Sequence, residues 1–115
     1  MLRTIKSFKY AVAGLITVFK EEPNFKIEVF MGVLAVFLSC YFDFSYLESA
    51  IILMCVVLVL SGEIINTAIE DLCNKVEPGK DEAIGKIKDI AAGFVLVSSL
   101  GALIVGLMIF WGHFN

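Results

Sequence analysis

The sequence predicts an all-α integral membrane protein: three membrane-spanning helices and an N-terminal amphipathic surface helix, forming one domain over residues 1–115. Three observations predict it. Of the 115 residues, 59% are hydrophobic and the mean hydropathy is +0.90, where a soluble domain has roughly half of its residues apolar. The apolar residues gather into three stretches that contain no Lys or Arg. All nine basic residues fall in two blocks, Arg3, Lys6, Lys9, Lys20 and Lys26, then Lys75, Lys80, Lys86 and Lys88. A chain so arranged threads a bilayer as one bundle and leaves no room for a second domain.

The surface helix spans residues 2–20. Ile5, Phe8, Val12, Leu15, Ile16 and Phe19 recur at spacings of three and four, which makes one apolar helical face. Arg3, Lys6 and Lys9 interrupt its first half, as suits a helix lying against anionic headgroups. The run from Tyr10 to Phe19 follows basic residues as a secretory signal does. It ends, however, in Lys20-Glu21-Glu22-Pro23 and offers no small-residue cleavage site, so the N-terminus is expected to be retained. Pro23 breaks the helix, because proline is tolerated at a helix start and not within one.

The first span covers about residues 24–42 and carries Glu28 near its start. Asp43-Phe44-Ser45 is the turn, with Ser45 placed to cap the next helix. The second span covers residues 46–76. It is apolar from Ala50 to Leu60 and then continues its helical pattern past Glu63, Asn66 and Glu70. At 1.5 Å per residue it is about 45 Å long, more than the hydrocarbon thickness, so its last turns project into headgroups and water. Pro78-Gly79 ends it. Asp81 or a neighbour caps the third span, residues 82–111, in which Gly93, Gly101 and Ala102 are expected to admit neighbouring helices closely. Trp111 and His113 mark the far interface.

The 42–46 turn and the C-terminal tail lack Lys and Arg, while both basic blocks lie on the opposite side. The positive-inside rule therefore puts the N-terminus and the 74–89 loop in the cytoplasm and the C-terminus outside. The net charge of −3 says little about a partner, and nothing in the charge pattern predicts one of nucleic acid. Cys40, Cys55 and Cys73 show no metal or disulfide spacing, and the first two lie in apolar runs as small hydrophobes.

The chemistry-bearing segment is Glu63-Ile64-Ile65-Asn66-Thr67-Ala68-Ile69-Glu70. Glu63 and Glu70 are seven residues apart and lie within about 20° of each other on one helix face. Asn66 and Thr67 flank that line, and Asn74 extends it. A polar stripe thus grows out of an apolar helix where membrane meets water, and ionisable residues at membrane depth are functional by default. The structural alternative is an interfacial charge snorkelling to water or a polar clamp between helices. Glu21, Glu22 and Glu28 open the first span on the same side, and Lys88 and Asp89 open the third. Carboxylates hold Mg²⁺ between nucleotide phosphates. Lys and Arg neutralise a transferring phosphoryl group, and a further carboxylate orients or deprotonates an attacking hydroxyl. Walker A and glycine-rich kinase loops are absent from the sequence.

The run E-I-I-N-T-A-I-E (Glu63 to Glu70), with K-D-I-A-A-G (Lys88 to Gly93), F-K-Y-A-V-A-G-L and K-E-E-P-N-F, resembles the prokaryotic diacylglycerol kinase family, which includes undecaprenol kinases. The resemblance covers nearly the whole chain. It implies a homotrimeric enzyme of the bacterial cytoplasmic membrane that transfers the γ-phosphate of ATP to a lipid alcohol with Mg²⁺. By position, it implies that Glu63 is the general base facing the lipid hydroxyl and that Glu22 and Glu70 hold metal beside the ATP phosphates. Arg3, Tyr10, Lys88 and Asp89 match nucleotide-contacting positions, and Gly79, Lys80 and Asp81 lie where the family's loop touches the nucleotide. Asn66 matches a position that keeps the site in order, and Glu28 another polar family position. The family usually carries Asp where this chain has Asn74. An amide still hydrogen-bonds a nucleotide but has no charge, so weaker nucleotide selectivity is expected in place of lost activity. Within the family, the N-terminal run Phe8 to Glu22 looks more like the undecaprenol kinase branch. Two other classes compete: a small multidrug-transporter-like subunit, which calls for four spans and a mid-bilayer Glu, and a noncatalytic membrane scaffold.

Overall fold

The computed structural model of the protein describes residues 1–115, which form four helices and no strand: α1 (Leu2–Glu21), α2 (Pro23–Tyr41), α3 (Tyr46–Val76) and α4 (Glu82–Phe114). Helices α2, α3 and α4 are each long and apolar enough to cross a membrane. Only 13 of the 115 residues are buried. The Leu, Ile, Val and Phe side chains left outside the bundle therefore face lipid or further chains, since water would drive them inward.

Proline sets two of the three junctions. Pro23 has no N–H to give and sits in the first turn of α2, where none is needed. It pushes Glu22 into extended geometry, φ −112° and ψ 103°, which ends α1 and turns the chain. The same steric effect of Pro78 holds Glu77 extended at φ −146° and ψ 94° and stops α3 at Val76. The third junction needs a left-handed residue. Asp43 supplies it at φ 55°, which a short polar side chain tolerates.

The caps follow the sequence closely. Ser45 accepts a hydrogen bond from the Glu48 amide at 3.1 Å, and the Glu48 carboxylate accepts one from the Ser45 amide at 2.8 Å. This reciprocal capping box fixes the start of α3. Asp81 caps α4 by accepting the Ile84 amide at 3.0 Å.

Helix α4 continues three residues beyond the predicted boundary, to Phe114, because its last turn has partners. The His113 ring stacks on Phe44 with centroids 4.1 Å apart, and Phe114 meets Phe42 edge-on at 5.1 Å. His113 Nδ1 lies 3.0 Å from a Glu48 carboxylate oxygen and Nε2 lies 2.9 Å from the Phe42 carbonyl. One histidine thereby ties the α2–α3 turn, the start of α3 and the end of α4 together.

Within one subunit, most of the close helix approaches lie at other positions than the expected Gly93, Gly101 and Ala102. Gly93 and Gly101 face open space within the subunit, and of that set only Ala102 is buried. The glycines that do admit a neighbour are Gly32, against Val56 of α3, and Gly62, against Phe94 of α4. The reason is the packing of this bundle: α3 lies between α2 and α4, so glycines facing α3 or lying on it meet the neighbours, while Gly93 and Gly101 point away. Helix α1 buries one residue, Val18 near its C-terminal end, where Phe19 meets Phe25 edge-on at 6.5 Å.

Candidate active site

Glu63 lies on α3 two turns beyond Val56 and is buried, with 7% of its surface exposed. Its neighbours on α3 follow helical spacing. The hydroxyl of buried Thr67, one turn on, donates to the Glu63 carbonyl at 2.9 Å. Glu22 and Glu70 lie within coulombic reach of Glu63, and Glu63 within that of Glu28. Helix rise puts these groups in order. Taking the level where Gly32 faces Val56 as zero, at 1.5 Å per residue Glu28 stands about 6 Å higher, Glu63 about 10 Å, Glu22 about 15 Å and Glu70 about 21 Å. Two antiparallel helices thus alternate their carboxylates up one seam, toward the end of the bundle that carries the α3–α4 loop.

None of these acids is neutralised by a cation of the same subunit. The one ion-pair geometry in the structure joins His113 and Glu48 at the opposite end. Two buried polar atoms at this level, Glu28 Oε2 and Asn66 Oδ1, make no hydrogen bond. Buried polar groups are nearly always paired, so such atoms call for an explanation, and a site that receives a hydrogen-bonding ligand is one.

Above the carboxylates, Lys88 Nζ on α4 donates to Asn74 Oδ1 on α3 and ties the loop-proximal ends of the two helices together. Gly79, Lys80, Asp81, Gly85 and Lys88 line an open hollow of about 590 Å³, and Asp89 lines a second hollow with Asp81 and Lys86. The Gly79 amide donates to the Glu77 carboxylate at 3.2 Å. Below them, an apolar groove of about 480 Å³ leads from Glu28 between α2, α3 and α4, past Gly32, Val56 and Leu103 to Phe110.

The structure therefore brings Glu22, Glu28, Glu63 and Glu70 to one seam, with Asn66 at the same level, and places Asn74, Gly79, Lys80, Asp81, Lys88 and Asp89 around the loop above it. It does not bring Arg3 or Tyr10 there. Both are exposed on α1, and Arg3 lies about 22 Å along the helix from Val18, where α1 meets the bundle.

Glu22 and Glu70 supply hard oxygen donors, and the Glu22 side chain is not spent on capping α2. No three His, Cys, Asp or Glu side chains close into a metal cage. Two carboxylates fit an ion such as Mg²⁺, which keeps several ligand positions for water and for phosphate oxygens.

Sequence reasoning missed Gly32 and the pairing of His113 with Glu48. Glycine inside an apolar helix is a signal in itself, because it costs about 0.5–1 kcal/mol relative to Ala. The histidine pair left none, since its members stand 65 positions apart.

Comparison with known proteins finds relatives along nearly the whole chain. Residues 9–110 match the family model described as prokaryotic diacylglycerol kinase. The chain is 30% identical over 113 residues to the diacylglycerol kinase of Escherichia coli (strain K12), covering 98% of this chain and 93% of the relative. It is 34% identical over 101 residues to the diacylglycerol kinase of Synechocystis sp., covering 87% of this chain and 58% of that longer protein. It is 30% identical over 108 residues to the undecaprenol kinase of Bacillus subtilis (strain 168), covering 94% and 88%.

Proposed function

This chain belongs to the prokaryotic diacylglycerol kinase family and is a membrane lipid kinase; from that premise we propose that it moves the γ-phosphate of ATP to the hydroxyl of diacylglycerol or undecaprenol, giving phosphatidic acid or undecaprenyl phosphate. The observation that carries this reading is the seam of carboxylates, with buried Glu63 between Glu28 and Glu22 where an apolar helix becomes polar. A lipid hydroxyl reaches that level from the bilayer and a triphosphate reaches it from water.

In this reading Glu63 takes the proton of the lipid hydroxyl, whose oxygen forms a bond to the γ-phosphorus as the bond to the β–γ bridging oxygen breaks and ADP leaves. Glu22 and Glu70 hold Mg²⁺, which supplies charge neutralisation on the phosphates when bound. Lys88 contributes positive charge to the same phosphates, and Asn74 orients it through their hydrogen bond. Gly79, Lys80, Asp81 and Asp89 border the nucleotide, and Asn66 and Glu28 offer acceptors to the lipid headgroup. The groove below Glu28 is an apolar path for the lipid chain.

Three further parts belong to the proposal. The N-terminus and the α3–α4 loop face the cytoplasm, since both basic blocks gather there. The enzyme is a homotrimer, in which Gly93 and Gly101, open within one subunit, meet a neighbour. Arg3 and Tyr10 reach a nucleotide through that assembly, because their own subunit leaves them outside the seam.

The test is purified enzyme in mixed micelles with labelled ATP and each lipid in turn. Transfer to one lipid and not the other names the substrate. No transfer to either, in protein of intact helix content and with Mg²⁺ present, overturns the assignment.

A further inference from the structure

Gly32 is the one glycine where an added Cβ would fall closer than 3.0 Å to a neighbouring atom. A Cβ built there falls 2.6 Å from Val56 Cγ1, with Cγ2 at 3.5 Å and Cβ at 3.6 Å. Carbon atoms in contact keep about 3.5–4.0 Å apart, so an added methyl demands about 1 Å more room. Val56 gives it by rotation only at a cost. A β-branched residue in a helix holds one χ1 rotamer about 90% of the time, and both of its methyls already face Gly32. The tight contact at Gly62 is different in kind. It involves the edge of the Phe94 ring at 3.1 Å, and that ring is half exposed and free to swing.

The position of this contact gives it consequence. It lies one turn below Glu28 on α2 and two turns below Glu63 on α3. Relief by parting the helices therefore moves the α2 carboxylates, Glu28 and Glu22, away from the α3 carboxylates, Glu63 and Glu70. The nucleotide-bordering residues Asn74, Gly79 and Lys88 stay together, because they belong to α3, α4 and the loop between them.

We infer that Gly32 is a positioning residue of the lipid kinase, its missing side chain setting the α2–α3 spacing at which the carboxylates of the two helices act on one reaction centre. The inference rests on the proposed role of that seam, and the size of the effect follows from the distance. A displacement of about 1 Å in a reacting constellation costs on the order of 10²-fold in rate.

A small-for-large exchange tests it. In Gly32→Ala/Val56→Ala both Val56 methyls are gone, and the new Cβ meets the Cβ of residue 56 at an ordinary 3.6 Å. Gly32→Ala alone is expected to lower kcat about 10- to 100-fold and, because it parts Glu22 from Glu70, to raise the Mg²⁺ concentration for half-maximal activity as well. The double variant is expected to return kcat to within about threefold of wild type, a coupling that assigns the loss to the contact between residues 32 and 56. Wild-type turnover by Gly32→Ala, or a double variant no better than Gly32→Ala with helix content intact, overturns the inference. Where Gly32→Ala does not fold, the double variant decides by the same threefold criterion. Glu63→Gln, run alongside, separates the two levels: if it turns over like wild type, the reading of the seam fails whatever Gly32 does. If it is inactive while Gly32→Ala is not, only the spacing role fails.

Discussion

The two ends of the bundle treat their polar groups in opposite ways. At the end holding the α2–α3 turn and the C-terminus, every prominent polar group has a partner: Glu48 takes the Ser45 amide and faces His113, and His113 meets the Phe42 carbonyl and stacks on Phe44. At the end holding the α3–α4 loop, four carboxylates share a seam without a cation, and Glu28 Oε2 and Asn66 Oδ1 are buried without a hydrogen bond. Burial of an unpaired polar atom costs about 1–3 kcal/mol. A protein that satisfies one end and not the other spends stability at the second, and function is the common reason.

Three experiments break or sharpen this contrast. The largest effect is expected at Glu63. Glu63→Gln removes the base and should lower phosphoryl transfer by about 10³-fold, within the range that general bases contribute. It also replaces a buried carboxylate by a neutral amide, so its thermal unfolding in micelles should match or exceed that of wild type. A variant that loses stability along with activity breaks the contrast. Next comes Glu70→Gln, which should raise the Mg²⁺ concentration for half-maximal activity about tenfold, as loss of one charge-assisted contact implies; an unchanged Mg²⁺ dependence removes Glu70 from the metal. The smallest effect on turnover belongs to His113→Ala. It should lose about 2 kcal/mol of stability through its polar contacts with Glu48 and Phe42 and its stacking, with kcat within about twofold of wild type. A fall in kcat at permissive temperature would show that the two ends are coupled.

The sequence is more legible at the helices than between them. The boundaries of α1, α2 and α3 were readable to within a residue, because proline geometry, capping residues and hydropathy are local causes. Glu63, Asn66 and Glu70 could be placed on one face for the same reason, since helical periodicity needs no knowledge of a neighbour. Gly93 and Gly101 meet no helix within the subunit. A small residue shows that a close approach is possible, and says nothing of which face the neighbour takes. The contact fell instead at Gly32 and Gly62, on faces decided by how α2 and α4 settle on α3. The extension of α4 to Phe114 was hidden likewise, because it depends on Phe42, Phe44 and Glu48 lying beneath it.

What the sequence determined by itself is the number of spans, the polarity of their ends and the chemical kind of residue along the seam. These follow from hydrophobicity and from interactions within a few residues of chain. What only the tertiary structure decided is which carboxylates of α2 and α3 alternate, how closely those helices approach, and which buried polar atoms go unpaired. Those depend on side chains far apart in sequence, whose meeting is governed by the shapes of two helix surfaces pressed together.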